Sequence, residues 1–111
     1  MKIKIATDFS RIPCARFISE GDFPGEEFRE KVLLPKLKDA IQKKEKLEID
    51  LDGTAGLGTS FLEESFGGLI RIDNVEHSVI LDTISFISND DPDYVAEIIE
   101  YLKEADEKEN N

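Results

Sequence analysis

The sequence predicts an α/β fold built on a mostly parallel, four-stranded sheet, with its elements in the order β(β)αβαβα. Short segments in which apolar and polar residues alternate indicate strands, and amphipathic segments that open with helix-start residues lie between them. Because strands joined by helical crossovers run in the same direction, we expect a parallel sheet with right-handed connections. The 111 residues suffice for one such domain with a single hydrophobic core.

Two strands are predicted near the N-terminus. Residues 2–7 alternate with a period of two, which places Ile3 and Ile5 on one face of the first strand. A turn follows around Pro13. Residues 15–19 then predict a short second strand with Phe17 directed inward, and this is the strand in parentheses in the element order.

The first long helix is predicted to begin at residues 24–27, Pro-Gly-Glu-Glu. Proline suits the first turn of a helix, and acidic side chains are favourable at the positive end of the helix dipole. The helix is expected to bury Phe28 and Leu37. Pro35 lacks a backbone donor and clashes with the preceding turn, so a kink or a restart is expected near Leu34.

The central strand is predicted at residues 47–52, where apolar residues alternate with carboxylates. A glycine-rich turn leads from it to a helix predicted at residues 60–70. Ser60, with Glu63 three positions later, matches a capping box, in which the hydroxyl and the carboxylate each accept a backbone N–H. The pair Gly67-Gly68 indicates either the end of this helix or close packing of its backbone on the sheet.

The last strand is predicted at residues 79–87, which are rich in β-branched and aromatic side chains. Asp91 as the cap and Pro92 at the first position open a final amphipathic helix. Residues 104–111 contain almost no apolar side chains and are expected to fray. The predicted organisation is therefore one domain over residues 1–103, followed by an acidic tail over residues 104–111.

Charge is unevenly distributed along the chain, whose formal net charge is −11. Residues 1–46 carry 11 basic and 8 acidic side chains, whereas residues 47–111 carry 3 and 17. Because this acidic surface repels nucleic-acid phosphates and anionic lipid, we expect neither nucleic acid nor a membrane as a partner.

No segment approaches the ~20 apolar residues of a membrane span, and the N-terminus lacks the apolar run of a signal peptide. The cytoplasm is therefore the expected location. A single cysteine, Cys14, and a single histidine, His77, provide no Cys/His set for zinc. Neither a metal nor a cofactor is expected.

Residues 47–70 resemble the strand–loop–helix core of STAS domains, the module of anti-sigma-factor antagonists and of anion-transporter tails. With Asp50 set on the strand aspartate of that family, Gly58, Thr59, Ser60 and Phe61 fall on its Asp-Ser-Ser-Gly tetrad. The resemblance implies that Ser60 occupies the position of the serine that a partner kinase phosphorylates. Two residues depart from the family pattern, since Gly58 lacks the carboxylate and Phe61 is bulky where the family has glycine.

The run Thr-Ser-Phe-Leu-Glu-Glu-Ser-Phe-Gly-Gly-Leu, together with Ala15-Arg16-Phe17 and Gly25-Glu26-Glu27-Phe28-Arg29, is more similar to a STAS-like family of uncharacterised bacterial proteins, distant relatives of the antagonists. Members of that family tend to be encoded beside histidine-kinase-like ATP-binding proteins. The resemblance covers roughly residues 1–103 and implies a non-enzymatic regulatory module that binds such a partner. It implies Ser60 as the phosphorylation switch and, as partner contacts, Gly58, Thr59, Phe61 and Glu64. Arg16 is expected to be a structural or a partner contact, because its guanidinium can pair with a carboxylate such as Asp8 or Asp52.

Other interpretations of the same residues remain open. Ser60 can serve simply as the helix cap. The acidic balance of residues 47–111 also suits an inhibitor or immunity-type protein that masks a basic partner, with dispersed carboxylates such as Glu97, Glu100 and Glu104 forming the contact. Catalysis by Cys14 is disfavoured, because no general base lies near it in the sequence.

Overall fold

A three-stranded parallel sheet in the order β1-β2-β3 lies at the centre of the computed structural model, which describes residues 1–110. The strands are β1 (Lys2–Lys4), β2 (Leu47–Asp50) and β3 (Ile84–Ile87). The α-helices are α1 (Ile5–Asp8), α2 (Gly25–Phe28), α3 (Leu34–Lys43), α4 (Thr59–Leu62), α5 (Gly68–Arg71), α6 (His77–Thr83) and α7 (Asp93–Glu109), and Ile18–Glu20 forms a 3₁₀ turn. The π-helical turn Arg29–Leu33 joins α2 to α3, and we call the continuous helix over residues 25–43 the α2–α3 rod. The π-helical turn Glu63–Gly67 likewise joins α4 to α5 into the α4–α5 rod, residues 59–71.

The sheet has an apolar face, which the helices cover, and a polar face. Ile3 lies opposite Ile49 in the parallel register, and both are fully buried. Phe86 continues this row on β3, and its ring packs edge-on against an aromatic ring of the α4–α5 rod, with 5.7 Å between centroids. One residue earlier, Lys2 and Glu48 form an ion pair on the opposite, exposed face, with 3.8 Å between Nζ and Oε1.

The predicted α/β fold with a parallel sheet is confirmed, but the prediction of four strands is wrong. Residues 15–19 form no strand, because Ala15 adopts a left-handed backbone conformation with φ of 72°. Phe17, predicted to face inward, is 42% exposed. The segment instead belongs to a folded loop, in which Gly25 N–H donates to the carbonyl of Ala15 at 3.1 Å.

All three strands that form are shorter than predicted, and the central one ends at Asp50 rather than at residue 52. The first ends at Lys4, whose N–H donates to the Asp8 carboxylate at 2.8 Å and so opens α1. The last begins only at Ile84, because residues 77–83 form α6. Ile80 and Thr83 are the buried positions of that segment, and their separation of three residues is helical rather than alternating.

The sequence also makes predictions for the middle of the α2–α3 rod and for the C-terminus of the chain. The restart predicted near Leu34 is confirmed, because regular α-helical bonding resumes there after the π-helical turn, with Pro35 in the first turn. At the C-terminus, α7 extends to Glu109, into the segment over residues 104–111 for which the sequence predicts fraying. Ala105 is buried against the core, which explains why these turns stay helical; residue 111 lies outside the described residues.

The α4–α5 rod is the most enclosed helical segment, since it contacts both the α2–α3 rod and α7. From Phe61 to Ile70 every side chain except that of Glu63 is buried. None of the described helices is long and apolar enough to span a membrane. The fold therefore encloses the middle of the α4–α5 rod and leaves Thr59 and Ser60 at its start, and Arg71 at its end, exposed.

Candidate partner-binding site

The loops that follow β2 and β3 meet at the carboxyl edge of the sheet and are held together by Asp52. Its Oδ1 accepts the N–H groups of Asn89 at 2.7 Å and Asp90 at 2.8 Å, and Asp90 in turn accepts Gly53 N–H at 2.8 Å. These hydrogen bonds, that from the Asp90 backbone foremost, hold the pKa of Asp52 below its ordinary value. Asp52 therefore fixes the loop from which the α4–α5 rod begins.

The end of that loop is tied to α7. Leu57 is buried, and its N–H donates to the Tyr94 hydroxyl at 3.1 Å. Gly58 then adopts an extended conformation, with φ of −72° and ψ of 159°, and serves as the N-cap residue. The first helical hydrogen bond runs from Leu62 N–H to the Gly58 carbonyl at 3.1 Å.

Thr59, Ser60 and Phe61 contribute the free N–H groups of the first turn. Within residues 1–110, none of these three donors has an acceptor, as is general for the start of a helix. Unpaired N–H groups and the helix dipole together favour an anion at this end of the α4–α5 rod.

Ser60 is exposed at the second position of the rod and does not cap it. No side-chain cap hydrogen bond forms at this end, because Gly58 rather than Ser60 is the N-cap residue. The predicted capping box is therefore wrong, since Glu63 turns away to the guanidinium groups of Arg16 and Arg71. In the described part of the chain, the Ser60 hydroxyl makes no hydrogen bond.

The other predicted contact residues divide into exposed and buried groups. Gly58 and Thr59 are exposed, and Arg16 is half-buried. Phe61 is 1% exposed, and its ring packs on that of Phe28 with 5.6 Å between centroids, so it cannot anchor a partner at the surface. The remaining predicted contact, Glu64, is equally buried and is enclosed in a charge network.

We call this network the charge ladder; it consists of Arg16, Glu63, Arg71, Glu64, Arg29 and Asp73. At its buried end, Arg29 Nη1 lies 3.3 Å from Glu64 Oε2, and Arg29 Nε lies 3.1 Å from Asp73 Oδ2. Arg71 Nη2 connects to Glu64 Oε1 at 3.3 Å, and Arg16 pairs with Glu63 near the surface. All buried side-chain polar atoms in the described residues have a partner, so the ladder is fully satisfied.

The exposed end of the charge ladder is strongly ionised. Burial alone would raise the pKa of Glu63, but hydrogen bonds from Arg71 and Arg16 outweigh it and lower that pKa. The Glu63 carboxylate correspondingly raises the pKa of Arg71. A cavity of about 260 Å³ lies between this end of the ladder and the last turns of α7.

The sequence interpretation missed the charge ladder, although the pair Gly67-Gly68 was a signal of it. A Cβ on Gly68 would lie 2.9 Å from Cδ of Arg29, and one on Gly67 would collide with the carboxylate of Glu63. The two glycines therefore mark close packing of the helix backbone, which is one of the two alternatives that the sequence predicts. The packing is against charged side chains rather than against the sheet.

Comparison with known proteins supplies one match. The profile of a STAS-like domain of unknown function (DUF4325) matches residues 24–94, which is more than half of the chain and includes both rods and all of β2 and β3. No curated protein and no solved structure matches the chain. The resemblance found in the sequence is confirmed at the level of the family.

Proposed function

We infer that this chain, which belongs to the STAS-like domain family of unknown function (DUF4325), is a non-enzymatic regulatory module that binds another protein. The proposed partner is a histidine-kinase-like ATP-binding protein of the cytoplasm, and phosphorylation of Ser60 would switch the contact. The observation that carries the proposal is the Ser60 hydroxyl, which is exposed at the start of the α4–α5 rod and does not cap it.

The surroundings of Ser60 suit a phosphoryl group. The unpaired N–H groups of Thr59, Ser60 and Phe61 point toward the N-terminal end of the rod, where a dianion is stabilised by the dipole. Glu63 lies three residues later and therefore neighbours Ser60 on the helix surface. Because Arg16 is bound to Glu63, it offsets that negative charge.

The contact surface proposed here comprises Gly58, Thr59, Ser60 and Arg16. Phe61 and Glu64 support this surface from below, since Phe61 packs in the aromatic core and Glu64 holds the charge ladder. A dianion on Ser60 would change the charge of the surface without moving the buried rod. Such a switch requires no conformational change in the rest of the fold.

The direct experiment is a binding titration with a histidine-kinase-like ATP-binding protein from the native host. Wild type should bind it in the presence of ATP, and Ser60→Asp should abolish binding while leaving the circular dichroism spectrum unchanged. Ser78→Asp is a matched control, because Ser78 is also exposed and is also the second residue of a helix. Wild-type affinity in Ser60→Asp would contradict the proposal.

One observation supports the second candidate, an acidic inhibitor of a basic partner. Glu97, Glu100 and Glu104 lie along α7, and none of them forms an ion pair within residues 1–110. If this candidate is correct, Glu100→Gln with Glu104→Gln should weaken a salt-sensitive association with a basic protein, and Ser60→Asp should leave it intact. The opposite pattern supports the regulatory module.

A further inference from the structure

Large apolar side chains are concentrated at the surface of one loop, residues 9–24. Eight such side chains are exposed in the described chain, and four of them lie in this loop: Ile12 at 62%, Phe17 at 42%, Ile18 at 50% and Phe23 at 37%. Single exposed apolar residues are ordinary. Their concentration in one segment is typical of an interaction surface.

The loop is held in place by its own hydrogen bonds. Cys14 N–H donates to the Phe23 carbonyl at 3.0 Å, which closes the loop upon itself. The Glu20 carboxylate accepts the N–H groups of Arg16 and Phe17. A further carboxylate, that of the nearby Glu26, accepts Ile18 N–H at 2.8 Å. The apolar side chains are thus displayed by an ordered backbone, which reduces the entropy lost when a partner binds.

The same loop lies beside the Ser60 surface. Ala55, in the loop before the α4–α5 rod, donates its N–H to the Arg11 carbonyl at 2.7 Å. The ring of Phe9 contacts that of Phe23 at 5.7 Å between centroids and that of Phe61 at 6.1 Å. A partner that covers the N-terminal end of the rod can therefore reach the loop as well.

The charge of the residues around the loop indicates which class of partner can bind it. Residues 8–27 contain five carboxylates and two guanidinium groups. Arg16 is paired with Glu63 and Glu27 with Lys31, which leaves four carboxylates and one guanidinium, that of Arg11. This acidic rim repels anionic lipid, and the net charge of −11 opposes association with a second copy. A protein surface with an apolar centre and a basic rim is complementary to it.

We propose that loop 9–24, through Phe17 and Ile18, anchors a protein partner whose contact face has an apolar centre rimmed by basic side chains. This inference rests on the proposed function, because it assigns the anchor of the same regulatory contact. It assigns the role of anchor to exposed aromatic and aliphatic side chains rather than to Phe61, which is buried. Such side chains near the centre of an interface carry a large share of the binding energy.

The first test is photo-cross-linking in the native host, with p-benzoylphenylalanine placed at position 17 or, as a control, at position 99. Ile99 is exposed to a similar degree, 40%, but lies on α7 outside the loop. We expect a protein cross-link from position 17 and none from position 99. The captured protein is then purified and titrated with wild type and with the variants Phe17→Ser, Ile18→Ser and Ile99→Ser.

The outcomes distinguish failure of the loop assignment from failure of the proposed kinase-like partner. If the captured protein is the ATP-binding protein, and Phe17→Ser and Ile18→Ser each weaken its binding at least tenfold while Ile99→Ser does not, both proposals stand. If another protein behaves in this way and added salt weakens it, the loop assignment stands and the kinase-like partner is wrong. Cross-links to lipid or to a second copy, no product at position 17, or wild-type affinity in the loop variants would overturn the loop assignment, whatever the result for Ser60→Asp.

Discussion

Replacing Glu64 with leucine removes the buried carboxylate at the centre of the charge ladder. The side chains of Glu64 and Arg29 are 2% and 1% exposed, so neither regains water when the other is lost. Arg29 would keep two carboxylate partners, that of Asp73 at 3.1 Å, which is 15% exposed, and that of Glu30 at 3.6 Å, which is 49% exposed. The variant therefore leaves a buried guanidinium that is only partly compensated.

The expected loss of stability follows from this geometry. Removing one partner of a buried ion pair typically destabilises a protein by about 3–5 kcal/mol. We expect the lower end, about 3 kcal/mol, for Glu64→Leu because Asp73 remains, and a similar loss for Arg29→Met because Arg71 still contacts Glu64. The double variant should lose distinctly less than the sum of the two, since it leaves no unpaired charge at either position.

Urea unfolding followed by circular dichroism measures these losses. With a slope of about 1–3 kcal/mol per M, a loss of about 3 kcal/mol lowers the midpoint by about 1–3 M. Asp39→Asn is the control, because the exposed pair of Asp39 and Lys43 should contribute less than about 1 kcal/mol. An unchanged midpoint in Glu64→Leu, or strictly additive losses in the double variant, would refute the coupling inferred for the ladder.

Four further predictions concern single residues and pH. Gly25→Ala should destabilise the fold by about 1–3 kcal/mol in urea unfolding, because the new Cβ would lie 2.6 Å from a backbone oxygen of the α4–α5 rod; an unchanged midpoint contradicts this. Gly58→Asp should raise stability by a few tenths of a kcal/mol, since it adds a capping carboxylate where a Cβ meets no atom within 4 Å, and a lower melting temperature would count against it. Ser60→Ala should stay within about 0.5 kcal/mol of wild type; a loss near 1 kcal/mol would mean that the hydroxyl does cap the rod. The pKa values of Asp52 and Glu63 are lowered in the folded protein, so the stability that these carboxylates contribute is fully present above pH 3.8 and 4.5, their ordinary pKa values. That stability is lost as the pH falls through the lowered pKa values. Urea midpoints that rise on acidification below about pH 4 would be inconsistent with this.

Features that depend on local sequence could be predicted. The alternation before Asp50, the helix start at Pro24 and the glycine-rich turn each involve residues close together in the chain. They sufficed to predict the parallel sheet, the central strand and the helix that presents Ser60. The error in the cap was a shift of two residues, since Gly58 rather than Ser60 precedes the first turn.

Features that depend on distant contacts could not be predicted. Arg29 and Glu64 are 35 residues apart, and neither position signals burial, because charged side chains are rarely enclosed unless paired. The left-handed conformation of Ala15 is imposed by the folded loop around it. Residues 79–83 contain β-branched side chains in an apolar run, and such a run is ambiguous between a strand and a buried helix.

The most direct test of the proposed function is to locate phosphate on the chain by mass spectrometry. The purified protein is incubated with MgATP and the proposed partner, a histidine-kinase-like ATP-binding protein from the native host. The Ser60 switch predicts one phosphoryl group, located on Ser60, absent from Ser60→Ala, and accompanied by release of the partner. Phosphate on another hydroxyl, or no phosphate together with binding that Ser60→Asp does not alter, would contradict it.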